Sequence, residues 1–436
     1  MNTPAKAIKE RTWFRFSLRT FLIVLTAICI LGGWKIERVR RQREARKWVS
    51  EQGGYLSYDY GVLGTIDPKD PLEAPIPNGW VKRAVDWIGE DFFFDVDSVH
   101  IGRGTTEDIS PLKCFSALKK LELQSAAIVD ISPLSKMTQL EELNLSGSDV
   151  RDLAPLEKMS HLSRLELDRS SVEDLSPLSH LKSLTYLSLI NTPTADLSPL
   201  ANLTNLTRLE LDHCPIAKID PIATLANLSF VTAADTKITD LRPLRALPKL
   251  LYLNVSGTGV TDLSPLSSVG TLSELHLNGA SIADLSPLIG LQKLSVLEFA
   301  HTKVTDISPL SKVPNLEVLD MNNCEIRSLV GLESLQELVY LDASYTLIAD
   351  LAPLSNISKL EYAFFRQTAI TKLTPLANSP QLRNVDINGT NITDIAPLAH
   401  LKSVMIQLDD SAKVIIPNAL KDRVSRRSLS NSHGEL

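Results

Sequence analysis

Apolar residues recur on a 22-residue cycle from about residue 96 to residue 408, and that cycle sets the architecture. Each copy opens with Pro-Leu, places apolar residues four, seven, ten and twelve positions after the proline, Ile or Val at seventeen, and commonly Asp at nineteen. The prolines keep this spacing from Pro111 through Pro177, Pro265 and Pro309 to Pro397, and Gly331 alone interrupts them. In the copy that starts at Pro177, Leu184, Leu187 and Leu189 read Leu-x-x-Leu-x-Leu, and the last two alternate with polar neighbours as a half-buried strand does. One short strand is therefore expected per repeat. A single repeat cannot bury its own leucines, whereas stacked copies form parallel strands about 4.8 Å apart over a continuous core. Ser176, Ser264 and their equivalents before the prolines read as N-caps, with proline as the first residue of a short 3₁₀ or α turn on the convex side.

The copies Asp196-Leu-Ser-Pro-Leu-Ala-Asn-Leu-Thr-Asn-Leu-Thr-Arg-Leu-Glu-Leu211 and Asp394-Ile-Ala-Pro-Leu398 resemble the 22-residue leucine-rich repeats of bacterial internalin-like proteins. The resemblance implies an α/β class: a curved leucine-rich repeat solenoid with a parallel β-sheet on its concave face and short 3₁₀ or α turns on its convex face. It does not specify a ligand. One position departs from that family. The residue fifteen after proline, typically Asn there, is Ser148, Thr192, Cys214, Thr236, Thr302 or Cys324 here, so hydroxyls and thiols are expected to replace an asparagine ladder.

Ahead of the repeats, Phe21 to Trp34 is an uncharged run. At 1.5 Å per residue it spans about 21 Å, short of the roughly 30 Å hydrocarbon core, so Phe16, Leu18 and a snorkelling Arg19 extend it, with Trp13 and Trp34 at the interfaces. We read residues 1–50 as basic flanks and a single-pass signal anchor with its apolar core at 21–34, resembling N-terminal anchors of planctomycete-type repeat proteins. A cleaved signal peptide is the rival, but no Ala-x-Ala site follows the run, and Ile28 before Cys29 departs from a lipoprotein motif. The flanks pull in opposite directions on orientation. Five basic residues precede the run and seven follow it, from Lys35 to Lys47, which favours a cytoplasmic solenoid. Long domains cross regardless of flanking charge, and the internalin resemblance implies export, so the solenoid is expected outside the inner membrane. A cytoplasm-facing scaffold resembling 22-repeat phosphatase regulators is the alternative.

Residues 51–95 are expected to cap the first repeat, with Trp80, Ala84, Trp87 and Ile88 on one helical face and Val96, Val99 and Ile101 starting a degenerate copy. After residue 408 the register slips, Val414 to Leu420 closes the stack, and residues 421–436 read as a disordered polar tail.

Of 51 acidic and 45 basic residues, only 3 acidic but 12 basic fall in residues 1–50, which leaves the remainder at −15. Such a surface excludes nucleic acid as the expected partner. The basic run Lys35 to Lys47 reads either as a lipid-headgroup contact or as a solvated helix. Positions nine and eleven after proline point to the concave face. The first column includes Tyr186, Phe230, Tyr252, Tyr340 and Tyr362, and the second includes Glu210, Glu298, Asp320 and Asp342. An aromatic row beside an acidic row suits a protein or envelope ligand with a basic surface. His213, His276 and His301 are expected on the same face without metal-ligand spacing. The Asp column of Asp130, Asp174, Asp262 and Asp306 reads as backbone capping, not calcium binding. No catalytic motif and no cofactor fingerprint is present, so the chain is not read as an enzyme.

Overall fold

The computed structural model describes residues 18–59, 83, 85, 87–102, 106–124, 127–409 and 413–427. The basic residues before position 18, the stretch holding Pro68, Pro71, Pro75 and Pro77, and Trp80 and Ala84 lie outside them.

Among the described residues seventeen strands form one sheet. Strand β1 (Tyr55–Asp59) runs antiparallel to β2 (Asp95–Ile101), and each strand from β2 onward is parallel to the next as far as β17 (Val424–Arg427). The 22-residue period becomes register: Val296, Val318, Tyr340, Tyr362 and Asn384 are successive partners. The leucines ten and twelve after each proline, such as Leu187 and Leu189, are fully buried, and so are those at four and seven. Asn384 then pairs with Met405, 21 residues on, so Val404, Ile406 and Leu408 keep the core filled and Met405 points out.

Each Pro-Leu box folds as a 3₁₀ turn with proline at its start. The expected serine caps are corrected by the geometry. Ser176 and Ser264 are the first residues of their turns, and their side chains cap nothing. The cap is the aspartate two residues earlier: Asp174 and Asp262 each accept the backbone N–H of that serine at 2.8 Å, and the Ser264 hydroxyl donates to the second Asp262 oxygen. A carboxylate fits because it accepts both donors at once. Gly331 replaces proline because it sits at φ 109°, where a Cβ would lie 2.8 Å from the Ser308 Cα of the preceding repeat.

A second column was not foreseen. The residue fourteen after proline has φ between 53° and 75° in twelve successive repeats, from Gly147 through Arg169, Asn191 and His213 to Gln367 and Gly389. Glycine and asparagine suit this left-handed turn, whereas Arg169, Tyr345 and Gln367 adopt it at a steric cost. His213 and His301 belong to this column, so they occupy the turn after the strand and not the concave face. At the next position Ser148 and Thr236 close back on the carbonyl three residues earlier, whereas Thr192 and Thr302 meet the thiols of Cys214 and Cys324, which reach back to Leu189 and Phe299 of the preceding repeat.

Helix α1 (Leu18–Glu51) is continuous. Its apolar N-terminal half is exposed, from Phe21 to Trp34, while Val39, Gln42, Ala45 and Val49 form a buried stripe against the first repeat. The C-terminal half of this one helix thus packs on the first repeat, with no break at residue 50. Trp87 is 87% exposed, so it contributes nothing to the cap core; Val85 and Phe94 are buried instead. At the far end Leu420 is fully buried in the 3₁₀ turn Asn418–Arg423, and β17, with Val424 packed on the core, pairs with β16 (Met405–Asp409), so residues 421–427 are no part of a disordered tail. Residues 428–436 lie outside the described residues.

Candidate ligand-binding face

Because leucines at positions ten and twelve point inward, positions nine and eleven point away from the core, and all nine candidate residues stand on that face. They form two unlike groups.

The first is a stack. Arg164 lies 3.8 Å from the ring centroid of Tyr186, and Arg208 lies between Tyr186 and Phe230, 3.5 Å from the latter. Phe230 stacks on Tyr252 at 4.1 Å, and Tyr252 tilts against His276 at 5.0 Å. Since the rings stack along the solenoid, their faces are used by one another and by guanidinium groups. The acids here are spoken for as well. Glu210 is buried, accepts from Arg208 at 2.6 Å, and takes the hydroxyls of Tyr186 and Ser188. Glu298 meets His276 at 2.8 Å, and that hydrogen bond holds its carboxyl below the usual range.

The same pairing recurs along column eleven. Glu122 meets Lys120 and His100, Glu166 meets Arg164, and Asp386 meets Arg366. Asp320 and Asp342 depart from it. They end β12 (Val318–Asp320) and β13 (Tyr340–Asp342), are direct register partners, and form no ion pair among the described residues. Each accepts the backbone N–H two residues on, with the Asn322 amide also donating to Asp320 and the Ser344 side chain to Asp342, while Arg366, bound to Asp386, acts on Asp342 from a distance. Burial, reinforced by the neighbouring carboxylates, pushes the Asp320 carboxyl up to about 6, and burial also raises Asp342. Beside them lie Val296, Val318, Tyr340 and Tyr362, with Tyr340 5.3 Å from Phe364.

Sequence reasoning missed Arg164, Arg208, His276 and Arg366 as neutralising partners. Their signal was available: Arg164 and Arg208 occupy column nine, 22 residues to either side of Tyr186, where register makes them its neighbours. Among the described residues no group of three or more His, Cys, Asp and Glu side chains is disposed to hold a metal ion.

The family profile described as "Leucine Rich repeats (2 copies)" matches residues 314–356, which contain this acidic pair. An internalin, InlF, from Listeria monocytogenes is 26% identical, with 70% of this chain and 92% of that one covered and a TM-score of 0.64. A leucine-rich repeat protein from Leptospira interrogans is 18% identical over 69% of this chain and 81% of its own, with a TM-score of 0.65. A TLR13–single-stranded RNA complex is 18% identical over 70% of this chain and 56% of its own, with a TM-score of 0.51. No protein among the curated ones matches the chain in sequence. The fold is thus a leucine-rich repeat solenoid with internalin-like structural neighbours, and the fold by itself does not choose the ligand.

Proposed function

We propose that this chain is a membrane-anchored binding protein that captures a protein or cell-envelope ligand on its concave face, with a basic group of that ligand seated at Asp320 and Asp342. The observation that carries the reading is the contrast within column eleven. Five acids, Glu122, Glu166, Glu210, Glu298 and Asp386, form ion pairs within the solenoid, whereas Asp320 and Asp342 form none among the described residues, Arg366 being committed to Asp386. Two neighbouring half-buried carboxylates without an ion-pair partner of their own are costly to ionise, and an incoming guanidinium or ammonium would offset that cost. The apolar track of Val296, Val318, Tyr340 and Tyr362 supplies contact area beside them. The face's carboxylates disfavour nucleic acid, whose phosphates need concentrated Lys and Arg.

The anchor reading is supported by α1, which is long and apolar enough to cross a membrane and whose apolar half no described residue covers. Its single pass would display the solenoid outside the inner membrane. The test is binding of Arg- and Lys-containing peptides, each compared with its Glu-substituted counterpart. Asp320→Asn with Asp342→Asn should weaken capture of the basic peptides tenfold or more, about 1.4 kcal/mol, while Glu122→Gln leaves it unchanged. Equal losses from both, or from neither, would sink the assignment of the site to this pair.

A further inference from the structure

Helix α2 (Glu90–Phe93) hangs beside α1, and ion pairs fix its height along that helix. At the top, the Ile88 carbonyl accepts from Arg43, and Asp91 meets Arg43 at 3.4 Å and Arg46 at 3.9 Å. At the bottom, Lys35 lies over the Phe92 ring, 5.4 Å from its centroid, before the chain turns back up to pair Asp95 with Arg38. The contacts run from Arg43 and Arg46 at Asp91 to Lys35 at Phe92, so Phe92 is the residue of this segment that meets α1 nearest its apolar half. Lys35 directly follows Trp34, the last residue of the exposed apolar half of α1.

The tip is apolar. Phe93 is 37% exposed, and its ring meets Phe92 edge-on at 5.2 Å. Two phenyl rings at this height, flanked by Lys35 and continuous with the bare apolar surface of α1, match what the boundary between headgroups and acyl chains accommodates: aromatic rings with a cation reaching outward. We propose that Phe92 and Phe93 form an aromatic foot that inserts into the lipid interface beside the anchor, seating the N-terminal cap directly on the membrane. The occupant is lipid, because the foot extends a surface that the anchor reading already places in lipid, and the inference rests on that reading. A single helix would let the solenoid swivel about its axis. A second contact removes that freedom and fixes the attitude of the concave face relative to the membrane.

The full-length protein, reconstituted in vesicles of phosphatidylethanolamine and phosphatidylglycerol, tests this by spin-label accessibility to oxygen and to a water-soluble nickel complex. Labels go on native Cys29 in a Cys114→Ser background, and on Phe93→Cys or Val129→Cys in a Cys29→Ser, Cys114→Ser background. Val129 is an exposed residue of the first repeats and serves as the aqueous reference. The oxygen-to-nickel ratio at position 93 should exceed that at position 129 several-fold, with Cys29 higher still. A position-93 ratio equal to that of position 129, with Cys29 still lipid-exposed, overturns the foot and leaves the anchor standing. A Cys29 label that reads aqueous overturns both.

Discussion

Asp320 and Asp342 face each other across adjacent parallel strands, and burial holds the Asp320 carboxyl near 6. A carboxyl whose folded value lies above its unfolded value of 3.8 opposes folding above pH 6, and the opposition is relieved as pH falls through 6. Asp320→Asn should therefore stabilise the protein at pH 7.5, by on the order of 1–2 kcal/mol after solvent screening. It should also flatten the rise in Tm that the parent shows from pH 7.5 to 5. Thermal unfolding across that range checks both, and a parent whose Tm is flat there contradicts the burial of the pair.

The turn aspartates act with the opposite sign. Asp174 and Asp262 accept hydrogen bonds from Ser176 and Ser264, which hold their carboxyls below the ordinary 3.8. Their contribution is present above about pH 4 and is lost as pH falls through the lower folded value. Stability should thus peak between the two limbs and decline below pH 4. Asp262→Ala should lower Tm at pH 7, and the loss should shrink as pH falls through the lowered folded value.

Restoring the proline series at its gap should fail. Proline requires φ near −65°, whereas Gly331 has φ 109°, abuts Ser308, and donates its N–H to Glu333 at 2.7 Å. Gly331→Pro should cost about 3 kcal/mol or more, and Gly331→Ala roughly 1–3 kcal/mol. Denaturant titration would read the loss, and a neutral Gly331→Pro would refute the left-handed geometry.

Arg208 is assigned to the fold and not to the ligand. Arg208→Met should leave Glu210 buried without its cation and cost about 3 kcal/mol in chemical denaturation. Peptide capture at Asp320 and Asp342, five and six strands away, should survive wherever the variant remains folded.

The solenoid was legible because a period of 22 is also its register: once Leu187 and Leu189 mark one strand, every neighbour follows. The face columns were legible for the same reason, but their electrostatics were not. Composition along one column shows Glu210 as an acid, whereas its state depends on Arg208 two residues earlier and on Tyr186 in the preceding repeat. The left-handed column escaped because its residues, from Gly147 to Arg169 and Tyr345, share a backbone conformation and no side-chain chemistry. The shared role of α1 escaped because Val39, Ala45 and Val49 are sparse among arginines, and those arginines find partners such as Asp91 and Asp95 far along the chain.

A charge swap tests the central claim most directly. The full-length protein with Asp320→Lys and Asp342→Lys would be titrated with the basic peptides and with their Glu-substituted counterparts, next to the parent and at an ionic strength of about 0.15 M to screen distant charges. The account predicts a reversal: the parent prefers the basic series and the swapped protein the acidic one, with folding confirmed by an unchanged circular dichroism spectrum. If the swapped protein keeps the parent's preference, the ligand is held elsewhere on the solenoid and the assignment of Asp320 and Asp342 is wrong.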